Sequence, residues 1–138
     1  MQITARIIAL TFAGGALGSG LRWLIGVLVE GATVTTNEPG QYPQIDLARV
    51  ITLFVVNILG AALLGWFNGS AAFSSDERKA FWSTGFAGGF TTMSGVAMWL
   101  VVTDSFTAAG AALVFGQIAI GLDAYWLALR AAKKRGRR

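Results

Sequence analysis

The chain has 138 residues, 54% of them apolar and 13% charged, with 18 glycines, no cysteine and no histidine. Its mean hydropathy of +0.60 is high for a water-soluble domain. Without Cys or His there is no disulfide framework, no ordinary zinc, haem or iron–sulfur ligation, no His-dependent triad and no Cys nucleophile. The length suits one domain, and what remains is a small all-α integral membrane protein.

A spanning helix needs roughly 20 mostly apolar residues, because the hydrocarbon core is about 30 Å thick and each residue rises about 1.5 Å. Four stretches qualify, over residues 6–29, 48–67, 81–102 and 107–129, so residues 1–138 read as a single four-helix transmembrane domain. The polar segment EGATVTTNEPGQYPQID, with both prolines, is the first loop. NGSAAFSSDERK separates the second and third spans, and TDSF is a tight turn before the fourth. The opening segment is too long an apolar run for a cleaved signal and lacks a small-residue cleavage site before Arg22.

Four crossings put both termini and the second loop on one side, with nine of the eleven Lys and Arg. Only Arg49, with Arg22 near it inside the first span, lies toward the other. Cytoplasmic loops collect Lys and Arg, so both termini are expected in the cytoplasm and the chain in the cell (plasma, or inner) membrane. Trp66, Trp82 and Trp126 fall at inner ends and Trp23 and Trp99 toward outer ends, as interfacial belts require. The basic tail from Arg130 to Arg138 reads as an anchor beside anionic headgroups, not a nucleic-acid site, since no folded recognition module remains outside the membrane.

Helices in lipid associate by close backbone approach at small residues. Gly14 and Gly18 form one G-x-x-x-G and Gly85 and Gly89 another; Ala61 with Gly65, and Ala112 with Gly116, offer similar faces on spans two and four. Four short helices are too few to enclose a polar path, so some faces are expected to meet a second subunit.

Polar side chains within spans are costly and mark partners or water-filled paths. They are Arg22, Asn57, Thr91, Thr92, Ser94, Gln117 and Asp123. Arg22 is close enough to the end of its span to snorkel, and Asp123 reads as an interfacial carboxylate. Asn57 fits an interhelical hydrogen bond or ion contact equally well. The segment GFAGGFTTMSG, residues 85–95, crowds glycines and hydroxyls at mid-span, where each glycine weakens a helix by roughly 1 kcal/mol relative to Ala. It reads either as a broken helix, whose freed carbonyls bind a hard cation and whose hydroxyls donate to a small anion, or as a packing face with Ser and Thr bonded back to their own helix.

LRW in span one, VVN-x-x-G in span two and GFxGGxTT-x-S in span three resemble the Fluc/CrcB family of fluoride channels. The likeness extends over all four spans, the fourth matching only in its apolar, glycine-spaced character. It implies four helices per subunit with a broken third helix, two subunits assembled antiparallel, two pores, and a central Na⁺ held by backbone carbonyls at the break. Gly88 and Thr91 would then supply those carbonyls. Asn57 would line the fluoride path, with Thr92 and Ser94 close by and Arg22 near a pore mouth.

Where the family commonly continues TTFSTFS, this chain reads TTMSGVA. Met93 and Val96 stand where two phenylalanines present ring edges, which carry partial positive charge, to the anion. Gly95 and Ala97 replace a Thr and a Ser, and Trp99 stands where an acidic residue is common. A homodimer with opposed subunits also needs nearly balanced Lys and Arg, whereas here one orientation is heavily preferred. The expectation is therefore a heterodimer with a homologous, oppositely inserted partner carrying the intact motif, serving passive export of fluoride from the cytoplasm. A non-conducting scaffold and a small drug–proton antiporter are the alternatives. The antiporter class needs a carboxylate in its first span, and residues 6–29 have none. No nucleophile–base pair suggests an enzyme.

Overall fold

The computed structural model describes residues 3–31, 47–102 and 107–136. The loop expected before the second span, the turn at 103–106 and the last two residues lie wholly or mostly outside this range. Helix α1 (Ala5–Gly31) and helix α2 (Leu47–Gly69) come first. Helix α3 (residues 76–90) opens with the turn Asp76–Arg78, widens into π-type winding over Lys79–Ala87 and ends in the turn Gly88–Phe90. The chain is then extended at Thr91 and resumes as helix α4 (Met93–Val102); helix α5 (Ala108–Arg135) closes the fold. Helices α1, α2 and α5 are each long and apolar enough to cross a membrane. Helices α3 and α4 together make the third span in chain order, broken at its middle. The architecture is that of an all-α membrane protein with an interrupted third span.

Each helix start with a described cap uses the same device. Thr4, Ser75, Thr92 and Thr107 each accept, through the side-chain oxygen, a hydrogen bond from the backbone N–H three residues on, at 3.1–3.3 Å. Such a bond satisfies one of the donors a helix N-terminus leaves open.

The paired G-x-x-x-G motifs meet. A methyl group on Gly14 or Gly18 would run into the carbonyls of Phe81 and Phe86, and one on Gly85 or Gly89 into those of Thr11 and Gly15. Helices α1 and α3 thus touch backbone to backbone. Helices α2 and α5 run side by side in the same direction with a register of sixty: Ala61 lies against Gly121, Gly65 against the Tyr125 backbone and Gly69 against that of Leu129. Gly121 is therefore the contact glycine of the last span. Gly116 meets nothing within 4 Å and Ala112 is exposed, so the expected Ala112–Gly116 face points away from the rest of the chain. Helix α5 also carries the basic tail in helical form to Arg135.

The end of the bundle holding both termini is filled by Phe67, Phe73, Trp82 and Phe86, with ring centroids 4.9–6.4 Å apart. This cluster bonds α2, the short link after it and α3. On the surface of that end Arg6 pairs with Glu77 at 3.0 Å; exposed as it is, the pair adds little to stability. Helix α4 is held more lightly, through Val96 and Trp99, whose ring meets that of Phe54 edge-on at 6.5 Å.

Because the neighbours of Gly18 are backbone atoms that cannot rotate away, Gly18→Val is expected to cost about 1–3 kcal/mol and to lower the thermal midpoint in detergent, read by circular dichroism. Gly116→Ala, in open space, is expected to leave that midpoint unchanged.

Candidate functional site

The interruption at Thr91 and Thr92 is built from three helices. In an unbroken helix the Thr92 N–H would bond the Gly88 carbonyl, four residues back. Here it donates to Asn57 Oδ1 at 2.7 Å, and Asn57 Nδ2 donates to the Thr92 carbonyl at 3.0 Å. One primary amide on α2 therefore partners both peptide groups of Thr92, including the N–H that the break deprives of its helical acceptor. Three residues along α2, Gly60 leaves the space that the Thr91 side chain and the Phe90 ring occupy. The N-x-x-G spacing thus has a mechanical reading: the asparagine clasps the break, and the glycine one turn later receives it.

The remaining groups at the break are answered locally. Thr91 N and Oγ1 both donate to the Ala87 carbonyl at 3.1 Å, and the same hydroxyl lies 3.5 Å from the Gly88 carbonyl. Ser19 of α1 donates to the Gly89 carbonyl at 3.2 Å. The Thr92 hydroxyl caps α4 through the Gly95 N–H and lies 3.1 Å from Ser94 Oγ. Both sequence readings of Ser and Thr here thus hold in part. The helix is broken, and Thr91 is bonded back to its own helix as well.

An open groove of about 300 Å³ runs beside the break between α2 and α5. Asn57, Thr91, Gln117 and Met93 line its end at the break, and Tyr125 its end toward the termini. The register of sixty puts Gln117 level with Asn57, and Gln117 is only 6% exposed. Two amides and the break thus share one layer at the middle of the membrane-spanning helices. Asn57 has a second amide hydrogen beyond the one it gives to Thr92.

The other expected site residues are dispersed. Thr92 is buried as the cap of α4, and Ser94 is exposed beside it. Met93 is 60% exposed at the groove, whereas Val96 is 2% exposed and packed into the core. The pair expected to stand together on an ion route is therefore split. Arg22 is half-buried on α1 and lines no part of the groove. Gly88 is exposed, with open space where a side chain would be, so its backbone lies on an accessible face. Among the described residues no group of three or more carboxylates could hold a metal. Gly88 and Thr91 can offer carbonyl oxygens only, the donor type a hard cation accepts.

Ser19, Gly60, Gln117 and Tyr125 were not singled out as site residues. Gln117 carried a signal as a polar side chain in mid-span, and Gly60 another as the glycine of VVN-x-x-G. The others acquire meaning from contacts between distant helices.

Replacing Asn57 with Leu strands a peptide N–H and C=O at mid-membrane, where an unsatisfied group costs several kcal/mol. We expect Asn57→Leu to lose about 2–4 kcal/mol of stability and Gln117→Leu to lose much less, measured by chemical unfolding in detergent.

Three comparisons place the chain among known proteins. Residues 9–129 match the family model described as CrcB-like protein, Camphor Resistance (CrcB). A protein of Corynebacterium jeikeium named Fluoride-specific ion channel FluC 2 is 36% identical, with 89% of this chain and 77% of that protein aligned. A Ruegeria protein named Fluoride-specific ion channel FluC is also 36% identical, over 99% of this chain and 98% of its own length. One from Leifsonia xyli, named FluC 2, is 33% identical over 91% and 82%. No solved structure matches. With the broken third span, the N-x-x-G clasp and a family match over most of its length, the chain belongs to the CrcB family.

Proposed function

We infer that the chain is a subunit of a passive, fluoride-selective channel that lets cytoplasmic fluoride leave down its gradient. The observation that carries this reading is the mid-membrane layer itself. A broken helix, an asparagine with a donor to spare and a second amide level with it suit a small anion that must exchange its water for close hydrogen-bond donors. The names printed for the relatives, all fluoride-specific ion channels, favour the same substrate. The chain is a channel component and not an enzyme.

The subunit works paired with an oppositely inserted homologue. The exposed Gly88 backbone, the half-exposed Met93 and the unpacked Ala112–Gly116 face supply surface for a partner. The Gly88 and Thr91 carbonyls, joined by their equivalents across a twofold, would form an all-oxygen site that fits a structural Na⁺. The Lys/Arg bias favours one orientation, with both termini in the cytoplasm, and so a heterodimer over a homodimer.

A second reading, a scaffold whose own pore lining is closed, has one specific observation behind it. Val96 is sunk in the core, and Gly95 lies against the Leu53 side chain, which is one turn along α2 from Asn57. An apolar plug thus fills the outer side of the break. Met93→Phe places its ring in open space and is expected to be tolerated, while Val96→Phe overpacks the core at a cost of about 1–3 kcal/mol.

Fluoride efflux from liposomes separates the readings. With a family partner that retains both phenylalanines, this chain is expected to conduct, and Met93→Phe to raise flux severalfold. A scaffold would leave flux unchanged by Met93→Phe, and full-rate efflux by the chain alone would refute the heterodimer. Since the chain has no cysteine, Gly136→Cys reports orientation: a membrane-impermeant maleimide is expected to label it only after cells are opened.

A further inference from the structure

Three helices meet at the end of the groove nearest the termini through a directional chain of hydrogen bonds. Ser83 Oγ on α3 donates to Asn68 Oδ1 on α2 at 3.0 Å. Asn68 Nδ2 then donates to the Tyr125 hydroxyl oxygen on α5 at 3.5 Å. Since Tyr125 accepts this hydrogen bond through its oxygen, its own O–H remains to donate. Tyr125 also lines the groove. The chain of donors therefore ends in a hydroxyl proton at the terminus-side end of the groove.

The geometry joins this end to the break. Asn57, Ala61, Leu64 and Asn68 follow one another at spacings of four, three and four, so they share one face of α2. Eleven residues of rise put Asn68 about 16 Å from Asn57 along the axis, about half a bilayer. On α5 Gln117, Gly121 and Tyr125 form the matching stripe. Between the polar ends the walls are apolar, with Ala61, Leu64, Ile118 and Leu122. The same end of the molecule is electropositive: seven Lys and Arg lie there among the described residues, against Asp76, Glu77 and Asp123, and Glu77 is already paired with Arg6.

We propose that the Tyr125 hydroxyl, oriented by Asn68 and Ser83, is the donor that receives fluoride at the cytoplasmic mouth of its route, before the ion reaches the amide layer at Asn57 and Gln117. This rests on the channel reading above and adds to it an entrance and its residues. The basic helix ends concentrate the anion near the mouth. The hydroxyl replaces part of its water, and the apolar stretch beyond disfavours ions that stay hydrated. Asn68 and Ser83 are positioning residues; Tyr125 alone touches the ion.

The test uses the full chain reconstituted with a phenylalanine-bearing family partner, with fluoride flux measured separately from each side of the bilayer. Tyr125→Phe deletes one oxygen and keeps the ring. It is expected to reduce flux about tenfold, on the scale of one hydrogen bond to a charged group, and to raise half-saturating fluoride on the terminus-bearing side only. Asn68→Asp, which removes the donor to Tyr125 and adds a negative charge, is expected to act in the same sense and more strongly. Flux equal to the parent's in both variants overturns the proposal and leaves the channel reading standing, and so does an equal change from both sides, which marks a purely structural role. No fluoride flux from the parent, alone or with partners, overturns the channel reading and this proposal together.

Discussion

A peptide chain that leaves the helix in the middle of a bilayer must find new partners for the groups it releases. Water is absent there, and each unsatisfied N–H or C=O costs several kcal/mol. The organisation of this protein follows from how that constraint is met at Thr92. Asn57 answers the N–H and the C=O of one residue with one side chain, a match of donor and acceptor that only a primary amide provides. Around it, Gly60 makes the room, Ser19 serves the Gly89 carbonyl and Thr92 caps the helix that restarts. Loss of any one of these would leave the break harder to hold.

A break held this way is rigid but chemically open. The carbonyl of Gly88 is relieved of its helical partner on a face where the chain itself packs nothing, and the spare hydrogen of Asn57 stands beside a groove. Cation-attracting oxygens and anion-attracting donors thus occur within a few residues of each other. The proposed passage of a dehydrated ion beside a subunit interface draws on both. The glycine contacts between α1 and α3 serve the same end, since rigid backbone-to-backbone packing fixes the helix that terminates at the break.

The departures at Met93 and Val96 take on different weights once they are placed. Met93 occupies exposed space at the groove and is free to change, whereas Val96 belongs to the small core that attaches α4 to α2. Loss of the first phenylalanine alters a surface offered to an ion or a partner. Loss of the second is built into the packing of α4, together with Leu53 against Gly95. The half of this subunit beyond the break is therefore more apolar than the half nearer the termini, where Ser83, Asn68 and Tyr125 gather.

Composition and hydropathy alone determined the class, the four crossings and their approximate bounds, because spanning a bilayer imposes a length and an apolarity that local sequence must supply. The paired G-x-x-x-G motifs were equally legible, since close helix approach requires small residues at fixed spacing. The crowding at residues 85–95 raised the possibility of a break without deciding it, for a glycine-rich stretch also suits plain packing. Tertiary structure decided the rest. Which backbone groups Asn57 bonds, whether Gly116 or Gly121 is the contact glycine, and whether Val96 is exposed or buried all depend on the register between helices far apart in the chain. Period and composition say which face of a helix is small or polar; they do not say what stands opposite it.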